Sequence, residues 1–143
     1  MSPILPIRLK TLKPNHPQYP KQIISVGDEF RAARIDRELT QLAVANQLGV
    51  NRNFVYECEL NHRTNSIYAL HYISKFLGYI PKTLNIDETT LQGVLQVHRI
   101  RTGKTYKELS NKIGLDKSTL VRFEKGKIIK QESLIKITTF LRN

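Results

Sequence analysis

Residues 39–59 read LTQLAVANQLGVNRNFVYECE, and residues 104–124 read KTYKELSNKIGLDKSTLVRFE. Slid by 65 positions, the two stretches align: Thr40 meets Thr105, Asn46 meets Asn111, Gly49 meets Gly114 and Glu59 meets Glu124. The apolar positions follow, Val44 with Leu109, Leu48 with Ile113, Val50 with Leu115, Val55 with Leu120 and Cys58 with Phe123. In both, a Thr suited to capping a helix stands nine residues before a Gly. Glycine accepts a positive φ and so permits a sharp stop and reversal. A second capping residue follows, Asn51 or Asp116, and then a short run without a breaker. The pattern reads helix, turn, helix, and it is read twice.

Working outward, Arg34 and Ile35 meet Arg99 and Ile100 at the same offset. Downstream the offset falls to 64, and Leu70, Ile73 and Phe76-Leu77 meet Leu134, Ile137 and Phe140-Leu141. Chance likeness of two helical segments accounts for apolar matches. It accounts poorly for paired glycines, caps and charges together, so two units of common ancestry are the simpler reading. Ahead of the first copy, VGDEFRAARIDREL places Val26, Phe30 and Ala33 on one side of a helix. Residues 1–22 hold Pro3, Pro6, Pro14, Pro17 and Pro20. Proline removes a backbone donor and fixes φ, so an extended arm is expected there. The expectation is an all-α chain: an arm at 1–22, a first unit at 23–83 and a second at 84–143, each of four to five short helices. Pro81 and the stretch 83–90 are a candidate linker.

The chain has 143 residues, with 23 Lys and Arg against 12 Asp and Glu, for a net charge of +11. Apolar residues make up 40%, enough for a packed core. The excess charge suggests a polyanionic partner, most simply nucleic acid. It is unevenly spread. Residues 1–22 carry Arg8, Lys10, Lys13 and Lys21 and no acid. Residues 23–83 carry seven bases against six acids, and residues 84–143 twelve against six. No apolar run approaches the roughly 18–20 residues of a membrane span. MSPILPIRLK lacks the continuous apolar centre of a signal peptide. The expected location is the cytoplasm, at the nucleoid. A single cysteine, Cys58, excludes an internal disulfide framework and reads as a core residue.

The segments resemble the Cro and phage-repressor (XRE-like) helix-turn-helix family. Its run is roughly R, then LTQ, LA, LGV, and a polar capped helix ending in E and G. The first copy supplies Arg34, Leu39-Thr40-Gln41, Val44-Ala45, Leu48-Gly49-Val50 and Glu59. The second supplies Arg99, Thr105, Leu109-Ser110, Ile113-Gly114-Leu115, Glu124 and Gly126. The resemblance spans about residues 24–143 and implies a lambda-repressor-like fold in two tandem copies. It departs from the pattern where Lys104-Thr105-Tyr106 replaces Leu-Thr-Gln and where Asn61 stands opposite Gly126. It also implies a structural ion pair between the first and third helices, Arg34 with Glu59 and Arg99 with Glu124. Such a pair bridges two helices, and losing one partner strands a charge.

By the same resemblance the third helix of each unit enters the major groove of double-stranded DNA. The positions that would read bases are Arg52, Asn53, Tyr56 and Glu57 in the first copy, and Lys117, Ser118 and Arg122 in the second. Arg and Lys suit guanine O6 and N7, Asn suits adenine, and Glu accepts from cytosine N4. Phosphates would be held by Gln41, Asn51, Lys107, Lys112, Lys125 and Lys127 together with helix N-termini. The second reading helix is the more cationic, so the second unit is expected to carry more of the affinity. Leu42, Phe54 and Tyr56 are apolar or aromatic for a DNA-facing surface and fit a dimer or protein-partner face. The basic arm is read either as tracking phosphates or entering a minor groove, or as a disordered tail or one packed on the first unit.

An enzyme is not expected, since no phosphate-cradling Gly-rich loop and no nucleophile–base pair is evident. His16, His62, His71 and His98 show no metal-ligand pattern, and Cys58 with His62 makes an incomplete site. No cofactor and no small-molecule substrate is implied. The competing class is a protein-interaction module, antitoxin-like or a phage accessory factor, using the same fold to hold a partner.

Overall fold

Helix caps written into the sequence lay out the architecture. The computed structural model describes residues 16–143, which contain eight α-helices, one 3₁₀ turn and no strand. The chain divides into two compact units between Leu84 and Asn85.

In the first unit α1 spans Val26–Asp36, α2 Gln41–Leu48, α3 Arg52–Glu59 and α4 Ile67–Leu77, and a 3₁₀ turn covers Lys82–Leu84. Each helix opens on a side-chain cap. Ser25 and Asp28 form a reciprocal capping box, and Thr40, Asn51 and Ser66 each accept from the backbone N–H three residues on. Gly49, at φ +72°, ends α2 and lets α3 depart at a new angle. Phe30, Val44, Ala45, Val55, Cys58 and Ile73 are fully buried where the helices meet. A buried side chain of this size contributes about 1.5–3 kcal/mol. Arg37 closes α4, donating to the carbonyls of Phe76 and Leu77 while stacking 4.3 Å from the Phe76 ring centroid.

The second unit repeats this economy in α5 (Leu91–Thr102), α6 (Tyr106–Ile113), α7 (Lys117–Glu124) and α8 (Gln131–Arg142). Thr90 caps α5, and Thr105 with Glu108 makes a capping box on α6. Gly114, at φ +83°, ends α6, and Lys136 of α8 donates to its carbonyl. Leu95, Leu109, Leu120, Phe123 and Ile137 form the core.

In both units an ion pair joins the first helix to the third, buried in the first unit and partly buried in the second. Arg34 donates through Nε and one terminal nitrogen to both oxygens of Glu59, and Arg99 does the same to Glu124. The remaining terminal nitrogen of each arginine reaches the carbonyl just before the helix-two cap, Leu39 for Arg34 and Lys104 for Arg99. A further donor comes from the first residue of helix two. It is Gln41 Nε2 at 3.1 Å from Glu59 Oε1, and the Tyr106 hydroxyl at 2.7 Å from Glu124 Oε1. Each carboxylate is thereby fully engaged, which is the condition for such a pair to be tolerated out of water.

Two stretches differ from the sequence reading. Residues 82–84 are no free linker, because the buried carboxylate of Glu29 on α1 accepts from the Lys82 and Thr83 amides and the Thr83 hydroxyl. Asp87 likewise holds Thr89, and its carbonyl lies against Gly93 of α5. The arm falls partly outside the described residues. Of what is described, residues 16–19 form a turn closed by the Tyr19 amide on the His16 carbonyl, rather than an extended strand.

Candidate nucleic-acid interface

A helix can read DNA only if one face is buried firmly and the opposite face is clear. In α7 the inward residues are Leu120 and Phe123, whose period leaves Lys117, Ser118 and Arg122 exposed. Asp116 precedes the helix but makes no side-chain cap bond, so the first turn is less closed than that of α3. Arg122 donates to the Ile128 carbonyl at 3.3 Å, which ties the following loop to α7. Lys125 and Lys127 lie in that loop, and Lys107 and Lys112 on α6, all four exposed. The second unit therefore carries six exposed cations on α6, α7 and the loop that follows: Lys107, Lys112, Lys117, Arg122, Lys125 and Lys127.

The first unit is built alike and surfaced differently. Arg52 and Asn53 are exposed at the start of α3, and Asn51 accepts from the Phe54 amide at 2.8 Å. Tyr56 is 43% and Leu42 56% exposed, so the apolar character expected of this face is present at both. Phe54 is a correction. It is buried, with its ring edge-on to Tyr68 at 5.3 Å and Tyr72 at 6.2 Å, because α4 packs over it. Glu57, partly exposed, lies 3.3 Å from His62 Nδ1 just beyond the end of α3. Gln41, read as a phosphate contact, spends its amide on Glu59.

Some contributors were not singled out from the sequence. Arg63 and Tyr68 flank Asn53 beside the start of α3 and line a depression with it. Tyr106, a departure from the family run, completes the Glu124 site, and the Arg99 guanidinium stacks 3.8 Å from its ring centroid. Burial and the Glu124 bond push its hydroxyl up to about 12. Its register with Gln41 was the available signal. Burial also pushes the Cys58 thiol up to about 12, which makes it a core group and not a nucleophile. His98 packs edge-on to Phe140 at 5.2 Å, and burial, with Lys112 and Lys104 nearby, holds its pKa below the ordinary histidine value. Among the described residues no cluster of His, Cys, Asp or Glu could hold a metal ion, and no helix is long and apolar enough to cross a membrane.

A capped helix, a left-handed glycine, a second short helix with exposed cations and an Arg–Glu brace are the parts of a helix-turn-helix. Residues 97–142 match the family model described as Helix-turn-helix, which is of the Cro and phage-repressor type. That match lies within the second unit. No curated protein matches the chain, and no solved structure does.

Proposed function

We propose that this chain is a sequence-specific double-stranded DNA-binding regulator carrying two Cro-type helix-turn-helix units in tandem, of which the second does most of the reading. The observation that carries the reading is the exposed row Lys117, Ser118 and Arg122 on α7, inside the stretch that matches the Helix-turn-helix family. With α7 in the major groove, Lys117 and Arg122 donate to guanine O6 and N7 and Ser118 to either kind of base pair. Lys107, Lys112, Lys125 and Lys127 neutralise phosphates on either side, fixing register without reading sequence. In the first unit Arg52 and Asn53 are the corresponding base contacts.

The exposed Leu42 and Tyr56 favour a second reading for the first unit, as a surface for a protein partner or a second copy of the chain. Selection of bound sites from random duplexes, followed by titration of the selected site at two salt concentrations, tests both. Arg122→Ala should weaken the selected site by roughly 1–3 kcal/mol and relax one base position, while Lys125→Ala should weaken all duplexes alike and lower the salt slope by about one. Arg52→Ala should cost less than Arg122→Ala. Equal losses would refute the inequality of the units, and binding without salt dependence would refute the DNA reading.

A further inference from the structure

The face of the first unit that a DNA-binding role would turn towards DNA already has a neighbour from its own chain. We infer that the segment His16–Lys21 docks on this face as a built-in competitor of DNA, so that the first unit engages DNA only when the segment lifts. This rests on the DNA-binding reading above and adds regulation to it.

Two anchors hold the segment. Pro20 is buried, and the Tyr19 hydroxyl donates to Asp36 Oδ2 at 3.3 Å, at the end of α1. Burial, with Asp36 adjoining, raises the Tyr19 pKa, in keeping with a packed phenol. The turn at 16–19 is closed by its own backbone bond and by the Gln18 amide on His16 Nδ1 at 3.1 Å. Pro17 and Pro20 restrict the free chain, which lowers the entropy lost on docking.

The position of the segment gives the anchors their meaning. His16 and Gln18 share the walls of a groove of about 820 Å³ with Gln41, Leu42, Arg52 and Tyr56. Tyr19 and Pro20 border a second depression with Gln41, Tyr56 and Leu60. Arg52 and Tyr56 are positions through which the first unit would meet base edges, and Gln41 marks the start of α2 beside them. A recognition helix needs room on both flanks for the two phosphate backbones of the groove it enters. A turn lying against the start of α2 and the outer side of α3 occupies one of those flanks. The segment is basic through Lys21 and carries no acid, and the α3 it borders bears Glu57 and the committed Glu59 against Arg52.

The test uses the full chain. A nitroxide is attached at Gln18→Cys, since Cys58 is buried and its thiol is held at about 12. The amide signals of Leu42 and Tyr56 are then recorded with and without the selected duplex. Broadening is expected in the free protein, with recovery on saturation with DNA. It should also be lost in Tyr19→Ala/Pro20→Ala, a double variant that keeps every base of residues 1–22. That variant should bind the duplex ~tenfold more tightly if the open state is about one tenth populated in the parent. Absence of broadening would overturn docking. Broadening that persists under saturating DNA would overturn competition, and so would weaker binding by the double variant, which would make the segment a DNA contact. Failure of both proteins to bind any duplex would sink the DNA reading and the competition together, while the label would still report docking on its own.

Discussion

Replacing Glu59 by Gln removes one charge from the buried brace of the first unit while keeping the side-chain volume. Arg34 keeps its bond to the Leu39 carbonyl but loses the partner that neutralises it, at a place where the two side chains are 6% and 3% exposed. Stranding one member of a buried pair costs about 3–5 kcal/mol, and the isosteric replacement adds no cavity, so about 3 kcal/mol is expected. At 1.4 kcal/mol per factor of ten that is roughly a hundredfold in the open population of the unit. Cys58 supplies a local assay. It is 0% exposed, lies in the first unit and is the only cysteine of the chain. Its modification by a disulfide reagent under native conditions follows the population of the opened state when closing is faster than reaction. Glu59→Gln should accelerate labelling by about two orders of magnitude, each factor of ten being 1.4 kcal/mol. Glu124→Gln, made in the other unit, should leave labelling unchanged while lowering the urea midpoint followed by circular dichroism. Labelling of Glu59→Gln within a few-fold of the parent, with its circular dichroism intact, would refute the claim that this pair holds the unit closed.

Tyr106, held at about 12, stays protonated in the folded second unit where an unfolded tyrosine ionises near 10. Its contribution is therefore complete below pH 10 and is lost as pH rises from 10 towards 12. Urea midpoints between pH 9 and 11.5 should fall less steeply for Tyr106→Phe than for the parent. His98 has the opposite dependence, because a lowered folded pKa means that the unfolded chain binds the proton more tightly. Stability should be full above the ordinary histidine range and decline as pH falls through it, and His98→Phe should flatten that slope between pH 7 and 5. At Gly93 a Cβ would lie 1.9 Å from the Asp87 carbonyl, so Gly93→Ala must push the 87–90 turn off α5. A loss of about 1–3 kcal/mol, the usual cost of overpacking, should appear in the thermal midpoint, and an unchanged midpoint would show that the turn is free to move.

What was legible in the sequence was what is settled within a few residues. Thr40, Asn51 and Thr105 each accept from the amide three positions on, so a capping residue ahead of a periodic run names its own helix start, although Asp116, read the same way, makes no side-chain cap bond. Gly49 and Gly114 stand at positive φ for the same local reason. The Arg–Glu pairs came from register with a family pattern, which carries long-range information that spacing does not. Contacts lacking both aids were not legible. Phe54 sits among exposed positions of α3, and only the docking of Tyr68 and Tyr72 from α4 decides that it faces in. Glu29 reads as one more helical acid until the chain returns 53 residues later and places the Lys82 amide on its carboxylate. Asn61, opposite Gly126, reads as a weaker stop. In the fold it takes φ +65° and fastens the Gly27 amide and Ser25 hydroxyl, which explains why a side chain is useful there.

The exchange of Gln41 for Tyr106 bears on function as well as fold. Both donors reach the same carboxylate oxygen, so both hold the start of helix two against the end of helix three. A side chain committed in this way is withdrawn from the phosphate contact that its position would otherwise offer. On the proposed DNA-binding reading, phosphate contacts then fall to residues outside the brace. The second unit offers Lys107 and Lys112 on α6 and Lys125 and Lys127 beyond α7, all exposed, as candidates. At the matching register the first unit has Leu42 and Gln47 on α2, which carry no charge. The same internal bonding that makes the two units alike in shape thus leaves DNA affinity to surface positions at which they differ. A test of that argument is to give the first unit the second unit's charges. Leu42→Lys/Gln47→Lys should raise affinity for any duplex and steepen the salt slope by up to two, one per phosphate neutralised. An unchanged slope would mean that this face does not reach phosphate even when charged, and that the first unit serves another partner.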